Sequence, residues 1–347
     1  MTPGKAVRAS ASFSEATKIE QLSSHAYQVN LSKAFCVGAV PNGGYTSACM
    51  LAAAKIHLGL RGQPDALTAH FEFPNRASTG PAILIIEDVK LGQQISTLQL
   101  TLWQGGLLSQ APWIDHFVSR RRVLAYTTHT NLRSFSGMSM PTGYEVTPAA
   151  KLPSVSDFEA LKTNGADKVW EKSKLPKAYA TMMPSLAHWH FYVPRNEPLS
   201  PGVLDMWIRL ASSERITQST LAYVVDSFPH NMHNFLAAPA LRELLNAPPD
   251  RSGDSDVKEI REKDQQRAEM WFPTVVMNME VKTALPDDGI EWLAVRVLSK
   301  QIKDGKFDLE VLVRDPDGAI IALSHHVGMI LNIVQSTGKK GLSKASL

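Results

Sequence analysis

The chain has 347 residues, enough for about two domains and a sizeable core, and at 44% hydrophobic and 20% charged it has the composition of an ordinary globular protein. A formal charge of +3 is too small a bias for a nucleic-acid partner, and no apolar run approaches the roughly 18 residues of a membrane helix. Two cysteines, Cys36 and Cys49, make no disulfide framework. No Cys/His cluster has the spacing of a structural zinc site, so neither a metal nor a cofactor is expected. Residues 1–20 lack the apolar stretch of a secretory signal, and their few basic residues make a mitochondrial presequence a weak alternative. The tripeptide Ala345-Ser346-Leu347 lacks the central basic residue of the usual peroxisomal address. A cytoplasmic location with reduced thiols is the expectation.

In chain order, the pattern first predicts a helix from Gly44 to about Leu58, with Ala48, Met50, Leu51 and Ala54 on a buried stripe. An alternating strand, Thr68–Phe73, follows, then strands over Ala82–Lys90 and Ser96–Gln104. The Gly105-Gly106 pair signals a hairpin into an apolar return over Leu107–Ala111. The C-terminal half repeats the order, with a helix over roughly Thr217–Phe228. Strands follow over Thr274–Val281, Trp292–Leu298, Phe307–Arg314 and, after the turn Asp315-Pro-Asp-Gly318, Ala319–Ser324. The strands recur at an offset of roughly 210 residues, the mark of a duplicated unit. The expected fold class is α+β, a double hot-dog: two tandem units, each a curved antiparallel sheet wrapping a central helix, paired edge to edge so that edges are protected.

The expected organisation is an N-terminal unit over 15–120 and an irregular, Pro-rich linker over 121–188 with short helices such as Asp157–Leu161. A C-terminal unit over 189–335 follows, with an insertion at about 237–270, and a solvated tail over 336–347. His188-Trp189-His190 starts the second unit's first strand. The charged run Asp254–Arg267 reads as a solvated face, with a lid over a pocket as the functional alternative.

Gly38-Ala-Val-Pro-Asn-Gly-Gly-Tyr45 resembles the G-x-x-P-x-G-G-Y opening of the acyl-CoA thioesterase II-like family, the single-chain double hot-dog thioesterases. Leu67–Phe71 and Gly80-Pro81-Ala82 are similar to its first unit. Leu204–Arg209, Leu221–Pro229, Pro273-Thr274-Val275 and Gly318–Ser324 are similar to its second. The resemblance covers about residues 20 to 335. It implies a water held by an Asp, a Thr or Ser, and a Gln of the second unit. Carried over by position, these fall on Asp226, Thr274 and His326, so the third departs from the pattern. Gly43, Gly44 and Tyr45 of the opening motif, with His70, are the candidate substrate-binding residues.

Hydrolysis of a thioester needs modest help because the leaving group is good. Asp226 fits a general base if burial raises its pKa, with Thr274 fixing the water. A backbone N–H at Gly43-Gly44 is placed to hold the thioester oxygen. His326 can also donate and accept a hydrogen bond, but as an imidazole it can equally serve as acid or base. His325 and His326, adjacent on a strand, point to opposite faces. His70 also resembles the histidine of hot-dog dehydratases, and His230 and His233 have an H-x-x-H look without a third ligand. Three functions therefore stand: hydrolysis of an acyl-CoA or carrier-bound acyl thioester; cyclisation or isomerisation of a secondary-metabolite intermediate; and non-catalytic acyl binding. The expected partner is an acyl thioester, with no nucleic acid, no membrane span, and room for a homo-oligomer.

Overall fold

The computed structural model describes residues 11–144, 147, 157–173, 183–195, 202–227 and 270–332. The 237–269 insertion, the tail from 336, His230 and His233 lie outside the described residues.

Helix α1 (Phe13–Ala16) opens the chain, and β1 (Glu20–Gln21) and β2 (Ala26–Leu31) follow. A two-stranded pair, β3 (Cys36–Val37) and β4 (Val40–Pro41), leads into α2 (Gly43–His57). Asn42 starts this helix, its side-chain oxygen accepting the Tyr45 N–H at 2.9 Å. Lys55 and His57 sit in the last turn, where the helix dipole favours cations. The expected stripe proves too narrow: every residue from Gly44 to Leu51 is buried, because the sheet wraps the helix on several sides. The first unit continues with β5 (Asp65–Glu72), β6 (Gly80–Leu91), β7 (Ser96–Gln104) and β8 (Arg120–Thr130).

The second unit comprises α3 (Phe158–Asn164), β9 (Trp170–Lys172), β10 (Trp189–Pro194) and β11 (Val203–Leu210), then a 3-10 turn (Gln218–Thr220) running into α4 (Leu221–Val225). The expected helix is thus shorter than α2 and stops at Asp226. After it come β12 (Met270–Trp271), β13 (Thr274–Val281), β14 (Leu293–Leu298), β15 (Ile302–Lys303), β16 (Lys306–Arg314), β17 (Ile320–Met329) and β18 (Leu331–Asn332).

One antiparallel sheet runs through both units in the order β1-β2-β6-β7-β8-β5-β13-β17-β16-β14-β11-β10-β9. The order is a palindrome about the β5·β13 seam: β8 answers β17, β7 answers β16, β6 answers β14. This is the double hot-dog, with Phe71↔Met277 and Ala69↔Met279 among the pairs that close the seam. α2 and α4 pack against each other inside the sheet's curve, in one continuous core that holds Tyr45, Met50, Phe71, Leu100 and Tyr223.

Two expectations are corrected. Leu107–Ala111 is not a strand: Gly105 and Gly106 take left-handed conformations (φ +75 and +58), and only an isolated bridge, Leu107↔Ile114, forms beyond them. The return strand is β8, at Arg120–Thr130, where an irregular linker was expected. Its short apolar positions, Val123 and Ala125, are buried between charged and threonine residues that mask the alternation. No helix among the described residues is long and apolar enough to cross a membrane.

Candidate active site

The palindrome brings the start of α2 against the end of α4, and the site lies there. Asp226 caps the C-terminus of α4 and is buried. Its Oδ2 accepts the Gly44 N–H at 2.6 Å, drawing on the positive end of the α2 dipole. Asn42 Nδ2 donates to the Asp226 carbonyl oxygen at 3.1 Å and reaches Oδ2 at 3.4 Å. On the other side, Thr274, the first residue of β13, donates its hydroxyl to Asp226 Oδ1 at 2.8 Å. His326 Nδ1 lies 3.5 Å from the same oxygen.

The tautomer of His326 follows from its neighbours. Ser324 Oγ donates its only proton to the Asn278 carbonyl at 2.6 Å. It therefore accepts from His326 Nε2, 2.8 Å away. Nε2 carries a proton, and Nδ1, the nitrogen facing Asp226, has no hydrogen-bond partner. Ser324 and His326 share one face of β17 while His325 is exposed on the other, as adjacent strand residues must be.

Asp226, Thr274, Asn42 and Gly43 line a cavity of about 230 Å³ whose other walls are largely apolar, among them Phe73, Val123, Met183, Phe272, Phe307 and Leu309. At its mouth the Arg76 guanidinium stacks over the Trp271 ring, 4.1 Å from the centroid. His326 is 1% exposed and does not line the cavity. It stands behind Asp226, touching the carboxylate rather than the space a substrate would fill.

The other candidates separate. Gly43 lines the cavity, and Gly44 holds Asp226 from the helix side. The Gly44 N–H is therefore taken, as are those of Tyr45 and Thr46, which Asn42 accepts. Gly43 N–H is the first-turn donor with no hydrogen bond among the described residues, which moves the expected oxyanion donor to that amide. Tyr45 is fully buried, its hydroxyl donating to the Ala16 carbonyl and accepting the Ser32 N–H, and it makes no cavity wall. His70 stands on the outer face of β5 and bonds across the seam, Nδ1 to Asn278 Oδ1 at 2.7 Å, away from the cavity. Sequence reasoning missed Asn42, whose place before a Gly-Gly helix start is an N-cap signal, and Ser324, two positions from His326 on the same strand face. It missed Arg76, for which a loop arginine gives no signal. It also missed the one group of side chains, among the described residues, close enough to hold a metal ion together: His25, His57 and Asp88.

The family model of the acyl-CoA thioesterase N-terminal domain matches residues 31–120, and that of the C-terminal domain matches residues 159–330. The thioesterase-like protein TwmA of Talaromyces wortmannii is 78% identical over 348 positions, covering all of both chains. A putative thioesterase II of Thermobifida fusca superposes with a TM-score of 0.62 at 18% identity, covering 92% of this chain and 97% of that one. The acyl-CoA thioesterase II TesB2 of Mycobacterium marinum does so with a TM-score of 0.54 at 13% identity, covering 92% and 98%. At those identities the two structures speak for the fold alone.

Proposed function

The chain belongs to the acyl-CoA thioesterase family, matched along both halves, and on that footing we propose that it hydrolyses an acyl thioester, an acyl-CoA or a carrier-bound acyl chain, with Asp226 as general base. The observation that carries this reading is the Asp226 carboxylate at the wall of an apolar cavity, fixed on one oxygen by Thr274 and on the other by the α2 amide.

Thr274 has spent its hydroxyl proton on Asp226, so towards a water it can only accept. A water in the cavity would give one proton to Thr274 Oγ1 and the other to the carboxylate, presenting a lone pair to the thioester carbon. Attack forms the C–O bond, and the water's proton passes to Asp226. The C–S bond then breaks, and the proton returns to the departing thiolate, leaving acid and thiol. The Gly43 N–H, at the positive end of α2, stabilises charge on the carbonyl oxygen. His326, anchored by Ser324, stands behind the carboxylate, its Nδ1 giving Asp226 no hydrogen bond. The apolar cavity suits an acyl chain, and Arg76 at the mouth suits an anionic carrier.

A second reading, proton transfer on a bound acyl chain without thiol release, is favoured by one observation: His326 lies off the cavity wall, so the water has two of the three side-chain contacts that the resemblance implies.

Thiol release from a panel of acyl-CoAs, followed with a chromogenic trap, decides between them. Under the hydrolytic reading wild type turns over and Asp226→Asn loses about 10²- to 10⁴-fold in kcat. Absence of release from every thioester, above all if His326→Gln restores it, would transfer the assignment to the second reading.

A further inference from the structure

At the opposite end of α2, three side chains from three elements converge. His57 is the last residue of the helix, His25 precedes β2, and Asp88 lies on β6. His57 Nε2 is 2.7 Å from Asp88 Oδ1, and His25 Nε2 is 3.1 Å from Asp88 Oδ2. One ligand atom from each lies within 4.8 Å of the others. We propose that His25, His57 and Asp88 form a binding site for a divalent cation of the zinc class.

The surrounding hydrogen bonds turn both rings towards one carboxylate, each Nε2 to its own oxygen. His57 Nδ1 is 3.0 Å from the Ser24 carbonyl oxygen, which can only accept, so Nδ1 carries a proton. The free end of that ring, Nε2, then faces a carboxylate oxygen at 2.7 Å, an arrangement that a proton or a metal cation between the two atoms would satisfy. Tyr27 supports the same carbonyl, donating to it at 3.2 Å while its hydroxyl oxygen lies 3.1 Å from His57 Nδ1. His25 Nδ1 is held by Ser24 Oγ at 2.8 Å. A backbone carbonyl fixing the outer nitrogen of an imidazole is the usual support of a metal-bound histidine.

Two imidazole nitrogens and one carboxylate are a zinc-type donor set with a fourth position left to solvent. Both nitrogen–oxygen separations, which run to different oxygens of one carboxylate, are shorter than the roughly 3.3 Å edge of a tetrahedron with bonds of about 2.0 Å, so an ion entering would push the three groups slightly apart. The negative end of the α2 dipole adds to the attraction. Fourteen helical steps, about 21 Å, separate the site from Gly43, so its role is to pin the end of α2 to the outer strands β2 and β6 rather than to take part in chemistry at Asp226.

The test is calorimetric titration of the full chain, freed of metal by chelator, with Zn²⁺, together with elemental analysis after dialysis and visible spectra with Co²⁺. One ion per chain, a tetrahedral cobalt spectrum and a higher melting temperature are expected. His25→Gln and Asp88→Asn should each weaken binding at least about tenfold. His25 is the safer substitution, since 47% of its side chain is exposed. Melting of the metal-free variants checks that both fold. Wild type that takes up no ion, the result for an ion pair only, overturns the site. So does Zn²⁺ binding of equal affinity in both variants, which would place the ion on other side chains.

Discussion

Gly44 and Asp226 are 182 positions apart and meet in a hydrogen bond of 2.6 Å that joins the start of α2 to the end of α4. A side chain at Gly44 would overlap the Ala222 carbonyl oxygen and fall 2.7 Å from Asp226 Cβ and 3.0 Å from Tyr223 Cα. These are backbone and buried atoms that cannot yield cheaply. Gly44→Ala should therefore cost about 1–3 kcal/mol of stability, read from the shift of the urea midpoint. It should also lower turnover, since the carboxylate moves with α4. Gly43→Ala meets mainly Asp226 Oδ2, at 2.8 Å, and the edge of the Phe73 ring, at 3.3 Å. It should lower kcat with a smaller loss of stability, and equal damage from the two substitutions would contradict the division of labour.

Thr274 separates orientation from bulk. Thr274→Val keeps the volume but leaves Asp226 Oδ1 without its 2.8 Å donor and the water without its acceptor. Thr274→Ser keeps both. Under the hydrolytic reading the valine variant should lose at least about tenfold in kcat, the worth of one hydrogen bond of 1.4 kcal/mol or more, with KM for the acyl-CoA little changed. The serine variant should stay within a few-fold of wild type. Steady-state kinetics of the pair would refute the role of the hydroxyl if serine were as impaired as valine.

Much of this architecture was legible because it rests on short-range patterns. Ser96–Gln104 and Thr274–Val281 appear in the fold with the bounds the alternation predicts, and the Gly43-Gly44 pair opens α2. β8 was not legible: its outward positions carry Arg120, Arg121, Tyr126 and Thr128, so only its pairing with β5 and β7 marks it as a strand. The meeting of Asp226 with Thr274 came from the family resemblance, and no local pattern encodes a contact across 48 positions and an insertion. His326 was singled out by the family resemblance alone, since the strand pattern puts it and His325 on opposite faces without saying which turns inward. Its place behind the carboxylate depends on the register with β13, where it stands opposite Met277. The His25–His57–Asp88 group was hidden for the same reason, since each residue belongs to a different element.

Both cysteines are fully buried. Burial pushes the Cys36 thiol up to about 11 and the Cys49 thiol up to about 12, so neither holds the reactive thiolate at neutral pH. The folded protein should give no reaction with a chromogenic disulfide reagent over the minutes of an assay, and two equivalents per chain in denaturant. A native burst of one or two equivalents would show that α2 or the β3–β4 turn opens readily.

Acid should weaken the fold through two histidines held neutral in it. Burial, with the Lys172 and Arg209 charges beside it, holds His190 down to about 4 against an ordinary 6.5. Burial and the neighbouring His57 hold His129 to about 4 as well. His129 is 1% exposed, and its Nε2 is spent on Thr127 Oγ1 at 2.9 Å. Both rings are thus neutral in the folded chain, whereas the unfolded chain takes up a proton on each as pH drops below 6.5. Their contribution is full above that pH, declines between 6.5 and about 4, and falls no further below, because there both states are protonated. Urea midpoints at pH 7, 5.5 and 4.5 should decline in that window, and the decline should be shallower in His129→Gln, whose amide can still bond Thr127 but takes up no proton. A slope that the substitution leaves unchanged would assign the acid limb to other groups.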